Sequence, residues 1–200
     1  MISDKFVILG VLIQLWGCLV YAKDTINGET KPNRVTWFLW FLAPTVAFAA
    51  EINKGVGFLS LMTLSVGLGP LIVLVASFAS KKAYWKLHWT DYLCGALSLV
   101  GIILWATYRD ANFAIVFSII ADLSAAAPTL VKSFNHPETE SVEAYWVAIV
   151  NAGIALLVVK TWTVAQYGFP IYIFLVNIAF VLLIKYKVGV RLTETRAKNA

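Results

Sequence analysis

The chain has 200 residues, 60% apolar and only 14% charged, with mean hydropathy +0.78 and a formal net charge of +5. Soluble domains carry about 25% charged residues, so this composition excludes an ordinary water-soluble domain. The basic surplus then concerns orientation in a membrane rather than nucleic-acid binding.

Seven charge-poor stretches follow one another, with lengths of 17, 16, 26, 17, 21, 16 and 24 residues between flanking charges. A helix needs about 20 apolar residues to cross a bilayer, so seven transmembrane helices is the natural count. The first, between Lys5 and Lys23, carries Gln14, Trp16 and Cys18. Its length and its polar interruptions favour a retained span over a cleaved signal peptide. A polar turn, "GETKPNR", leads into the second, "VTWFLWFLAPTVAFAA", with Trp37, Trp40 and an internal Pro44. Asn33 or Thr36 is expected to cap it. The third contains Pro70, and a basic loop with Trp85 and His88 leads through Trp89 into the fourth, which holds Cys94.

The fifth stretch, between Asp110 and Lys132, is interrupted by Asp122 near its middle and by Pro128. Then comes "FNHPETESVEAYW", where Thr139 or Ser141 is expected to cap the sixth span. Glu138, Glu140 and Glu143 read best as loop and cap chemistry, because carboxylates favour the positive end of a helix dipole. The sixth span carries Tyr145, Trp146 and Asn151, and the seventh carries Pro170 and Asn177. The tail, 189–200, reads as a basic solvated extension. Trp85, Trp89, Trp162 and Tyr186 fall near helix ends, where aromatic side chains favour the interface.

Seven spans place 12 basic residues on the side of the tail and 4 on the side of the N-terminus. The positive-inside rule then puts the N-terminus outside and the C-terminus in the cytoplasm. Lys5 to Asp110 is 105 residues, Arg34 to Glu143 is 109 and Lys54 to Lys160 is 106. This period divides the chain into a first three-helix repeat (1–80), a connecting loop and linker helix (81–109), a second repeat (110–188) and the tail. Two odd-numbered units lie parallel only when an extra helix separates them, so the fold class is an all-α membrane protein of 3+1+3 parallel repeats.

The segment "PTLVKSFNHPETES" resembles the PQ-loop motif, a proline–glutamine pair near a helix end followed by a basic, hydroxyl-rich turn. With the 3+1+3 layout, the chain is similar to the PQ-loop/SWEET-like (MtN3) transporter superfamily. Pro128 matches the motif proline, which acts in that superfamily as a hinge for alternating access. Thr129 stands where the family has glutamine, and the first repeat has no proline near Ala22. The resemblance covers the whole chain in topology and about twenty residues in motif, so the first repeat is degenerate.

Proline frees a carbonyl within a helix, and such breaks are tolerated in a membrane only against protein or a cavity. Pro44, Pro70, Pro128 and Pro170 are therefore the expected hinges. An acid at midplane costs about 2.5–3.5 kcal/mol on insertion scales and faces a cavity or a partner. That makes Asp122 the expected proton-coupling residue, against the alternative of a neutral interhelical contact. Asn151, Asn177, Gln14, Trp16, Trp40 and Trp146 are the expected substrate-binding residues, because transporter sites lie at the midplane between repeats. In SWEET-like proteins Asn and Trp side chains line the sugar site, and Asn177 is the best counterpart here.

No catalytic residue, metal site or cofactor is expected. Cys18 and Cys94 lack metal or disulfide spacing, and the last span has no internal lysine for a retinal-type chromophore. The reading is a non-enzymatic, multi-pass transporter of a sugar or other small polar solute in the plasma (inner) membrane. Lipids and the solute are its expected partners, nucleic acid is not, and self-association stays open. The rival readings are a non-transporting seven-helix receptor or scaffold, and an intramembrane enzyme using Asp122.

Overall fold

The computed structural model describes residues 6–53, 60–83, 85–107, 111–158 and 164–198. All regular structure among them is helical: α1 (Phe6–Asn27), α2 (Arg34–Asn53), α3 (Ser60–Ala79), α4 (Trp89–Thr107), α5 (Ala111–Asn135), α6 (Glu143–Val158), α7 (Val164–Ile184) and α8 (Val188–Lys198). Short 3-10 turns lie at Lys81–Ala83 and Pro137–Thr139. Within α1, α5 and α7, the segments Ile8–Asn27, Val116–Asn135 and Tyr167–Ile184 are long and apolar enough to cross a membrane. Leu64–Ala79, Trp89–Leu104 and Glu143–Leu157 are shorter apolar helices. Leu12, Val75, Phe78, Ile103, Leu157 and Leu175 are each more than half exposed. Soluble monomers rarely show so much contiguous apolar surface, and the pattern fits an all-α membrane protein.

The helix ends follow local chemistry. Gly28 closes α1 at φ 80°, and its N–H bonds to the Thr25 carbonyl at 3.0 Å. A Cβ there would lie 2.7 Å from Lys82 Cβ, so glycine answers both the positive φ and the close approach. Asn33 caps α2, accepting the N–H groups of Val35 and Thr36 through Oδ1 at 3.1 and 3.4 Å. Pro137 ends α5, since the residue before a proline is pushed out of helical conformation. His136 accordingly sits at φ −134°, ψ 57°. At the start of α6 neither expected cap serves: Thr139 Oγ1 donates to the His136 carbonyl, while Ser141 Oγ faces Asp24 and Glu143.

Packing follows one order in both halves. Helix α3 lies against both α1 and α2, and α7 lies against both α5 and α6. The halves meet through α1 with α6 and α2 with α5, while α4 packs on α5 and α2. Gly17 lets α1 approach Val147 of α6, and Gly101 seats α4 on Ala121 of α5. The tail, expected as a solvated extension, instead forms α8 and packs on α5 and α7. Its first turn docks because Gly189 leaves room for the Phe134 carbonyl, whereas residues 191–197 are exposed. Trp162, and the four basic residues expected at the opposite end (Lys5, Lys54, Arg109 and Lys160), lie outside the described residues.

Candidate functional site

The loops 28–33 and 136–142 meet at one end of the bundle, where the Lys31 N–H bonds to the Thr139 carbonyl at 2.9 Å. The Pro137–Thr139 turn leaves Glu140 extended, at φ −121° and ψ 147°. Its carboxylate is fully buried. Oε2 accepts the hydroxyls of Tyr21 (2.6 Å) and Tyr145 (2.8 Å), and Oε1 accepts Lys132 Nζ at 2.5 Å. Lys132 also donates to the Lys31 carbonyl, and its ammonium lies 4.9 Å from the Trp85 ring centroid. One carboxylate thus joins α1, α5, α6 and the first loop. A buried ion pair holds only when its remaining hydrogen-bonding capacity is also satisfied, and here it is.

Above Glu140 the plug continues in aromatic rings. Trp37 sits 4.8 Å from Tyr21 and 5.3 Å from Trp40, and Tyr145 stacks on Phe180 at 4.3 Å. Trp40 lies 6.4 Å from Tyr145 and 5.9 Å from Phe180. This end is closed.

Pro128 is stitched to α2 at the same level. Thr36 Oγ1 donates to the carbonyl of Ala125, three residues before the proline, at 2.7 Å. Thr129 Oγ1, on the residue after the proline, donates to Thr36 Oγ1 at 2.9 Å. Replacing Thr36 by Val takes a second donor from the Ala125 carbonyl and the acceptor from the buried Thr129 hydroxyl, and an unsatisfied polar atom inside protein costs about 1–3 kcal/mol. Denaturation in mixed micelles is expected to register a loss of about that size, whereas Thr36→Ser retains most of the stability.

The Thr36–Ala125 contact fixes the antiparallel register of α2 on α5, and four residues further along it sets Trp40 level with Ala121 and Asp122. Trp40 packs there beside Ala121 and Ala125. The hydroxyl of Tyr172, on α7, donates to Asp122 Oδ2 at 2.7 Å. Trp40 is the other neighbour of this carboxylate, and its indole N–H makes no hydrogen bond of ordinary geometry. Asp122, Trp40 and Tyr172 each keep partial accessibility.

Burial changes character at this level. Residues 40–46 of α2, 153–156 of α6 and 167–174 of α7 include no buried position where burial is described, and each of these runs keeps partial accessibility. A helix packed on one side buries every third or fourth residue, as 176–184 of α7 does. Partial access on all sides of three helices means that none of them is closely packed along these runs. Pro44 and Pro170 lie within these runs.

The expected site residues therefore separate. Trp40 and Asp122 come together. Asn151 and Asn177 are buried on α6 and α7; Asn151 Oδ1 has no partner, while the Asn177 amide donates to the Ile173 carbonyl at 2.8 Å. Gln14 is buried near Gly69 of α3 and bonds to Cys18. Trp16 (59% exposed) and Trp146 (41% exposed) do not join the cluster; Lys185 lies over the Trp146 ring at 5.6 Å. Tyr145, one residue earlier, takes the inward place opposite Trp40. Pro70 lies within α3, which packs on α1 and α2.

Sequence reasoning missed Glu140, Lys132, Tyr21 and Tyr172. The sequence places Glu140 in loop and cap chemistry and Lys132 among the twelve basic residues on the side of the tail. His136 and Glu138 are exposed as expected and pair at 3.4 Å. A groove of about 660 Å³, lined by Trp85, His88, Asp91, Pro128, Lys132 and His136, runs between α4 and α5 outside the closed plug. No family model matches the chain, and no curated protein or solved structure matches it significantly.

Proposed function

We propose that this protein is a seven-span transporter that carries a small polar solute by alternating access, with the N-terminus outside and the C-terminus cytoplasmic. The observation that carries this reading is the asymmetry around Asp122. One end of the bundle is closed by Glu140 and its aromatic plug, while the runs 40–46, 153–156 and 167–174 at and beyond the level of Asp122 hold no buried position where burial is described. An ionisable group at the boundary between a closely packed end and a loosely packed one is the expected position of a midplane site.

The packing order supports a repeat. Exchanging α1 for α5, α2 for α6 and α3 for α7 converts each contact within one half into its counterpart, and converts α1 with α6 into α5 with α2. Helix α4 has no counterpart, as a linker requires. The PQ-loop/SWEET-like resemblance is part of the same proposal: Pro128 is the hinge, and the hydroxyl pair Thr36–Thr129 holds it in the present state. Twelve of the sixteen basic residues belong to the closed end by this topology, which assigns that end to the cytoplasm and the site to a space open outward. Asp122, at the floor of that space, carries the proton coupling.

Reconstitution into vesicles, with uptake of labelled sugars, amino acids, nucleosides and amines, tests the reading. Saturable uptake above protein-free vesicles is expected for one class. Absence of flux across all classes, from protein that is monodisperse and folded, would contradict it.

A further inference from the structure

The side chains around Asp122 are poorly matched to a sugar. A polyol site needs many neutral donors and acceptors, because each buried hydroxyl left unpaired costs affinity. Here the Asn177 amide is spent on the Ile173 carbonyl. Among the described residues, the Trp40 N–H is the unpartnered buried polar atom tied to the carboxylate, while Asn151 Oδ1 and Gln14 Oε1 are unpartnered elsewhere on α6 and α1. The walls are rings instead: Trp40 and Tyr172 touch Asp122, and Phe169 lies 5.8 Å from Tyr172.

The charge is also one-sided. Asp122 pairs with no Lys, Arg or His among the described residues. Of the elements packed on α5, α7 presents the titratable Tyr172 and α2 presents Trp40; α4, α8 and the 137–139 turn present no charged group to it. A carboxylate inside protein without a counter-charge is costly, and aromatic faces attract cations through their quadrupoles. A metal ion is a poor fit, since the hard cations take six or more oxygens and this position offers a carboxylate and one phenol.

We propose that the solute is a small organic cation, its charged nitrogen held by the Asp122 carboxylate and by the ring faces of Trp40 and Tyr172. This rests on the transporter reading and gives it a substrate class. A proton and the solute then compete for one carboxylate, so that the emptied site is neutralised by a proton and the exchange is electroneutral.

Purified full-length protein is titrated with choline, ethanolammonium and N-methylpyridinium, each against a neutral analogue of the same shape (for choline, 3,3-dimethylbutan-1-ol). The readout is the thermal-unfolding midpoint, since a ligand that binds the folded state raises it by mass action. At least one cation is expected to bind about ten-fold or more tightly than its analogue, the tenfold being equivalent to about 1.4 kcal/mol. Its affinity is expected to rise from about pH 5.5 to about pH 7.5 as the competing proton is removed. The near-isosteric Asp122→Asn should erase the cation preference, and Tyr172→Phe should weaken binding while keeping it. Neutral analogues or sugars that stabilise as well as the cations would overturn the proposal, as would no stabilisation by any cation, or a preference that survives Asp122→Asn.

Counterflow in vesicles separates the two claims. Flux of neutral solutes without cation preference overturns the cation site and leaves the transporter. Cation binding without any flux keeps the site and overturns the transporter.

Discussion

Replacing Glu140 by Ala is expected to lower the stability of the folded protein by about 3–5 kcal/mol, the cost of removing one partner from a buried ion pair. The side chains of Lys132 and Glu140 are 1% and 0% exposed, so the ammonium left behind would keep only Asp91, beyond ion-pair distance, as a counter-charge, and little water. The hydroxyls of Tyr21 and Tyr145 would lose the acceptor that they share. These losses overlap and do not add. A paired change, Lys132→Met with Glu140→Leu, is expected to recover most of the deficit, because an apolar pair of similar volume often matches or exceeds a buried ion pair. Denaturation in mixed micelles distinguishes these outcomes. A loss below about 1 kcal/mol for Glu140→Ala is what an exposed pair would give, and it would remove this carboxylate from its place as the seal.

The second large effect is expected at Trp37, which is 2% exposed and wedged between Tyr21 and Trp40. Truncation to Ala removes the largest part of the plug between Glu140 and Asp122, and buried Trp→Ala changes cost about 3–5 kcal/mol. Its indole N–H makes no hydrogen bond of ordinary geometry, so the loss is mainly one of packing. Trp37→Phe keeps a ring in the same place and is expected to cost clearly less than Trp37→Ala. Combining Trp37→Ala with Glu140→Ala should give less than the sum, because both changes release Tyr21. An additive double variant would show that the aromatic plug and the carboxylate act independently.

The helical class and the apolar segments were legible because charge spacing and hydropathy are local properties. Asp122 was legible for the same reason: an acid in the middle of an apolar stretch stands out wherever it points. Facing was not legible. Successive residues on a helix point about 100° apart, so a period counted from flanking charges cannot choose between neighbours. Depth selects Trp40 and Trp146 alike, whereas the fold turns Tyr145 inward and leaves Trp146 beside Lys185. Trp16 failed in the same way, since its depth matched and its direction did not.

The closed end was hidden for a different reason. An acid eight residues after a lysine, in a loop before a helix, has the local signature of a cap. Its burial depends on Tyr21, 119 residues away, and on the Pro137–Thr139 turn that presents it. Neither can be read from spacing. Tyr172 was likewise one aromatic among several in an apolar run, and only its 2.7 Å contact with Asp122 distinguishes it. The docking of α8 depends on Gly189 against the Phe134 carbonyl, a contact between segments more than fifty residues apart.

The central claim is a site reached from one side and sealed from the other, and cysteine accessibility addresses it most directly. Cys18 and Cys94 are replaced, and a single cysteine is placed at Tyr172, with Val75→Cys (62% exposed at the apolar surface) as the control. A membrane-impermeant maleimide is added to vesicles of known orientation, from each side in turn. Tyr172→Cys is expected to react from the side opposite Lys132 and Glu140, to be protected from the other side, and to react from both once Glu140→Ala is introduced. Equal reaction from both sides in the intact protein, or from neither, would contradict the account.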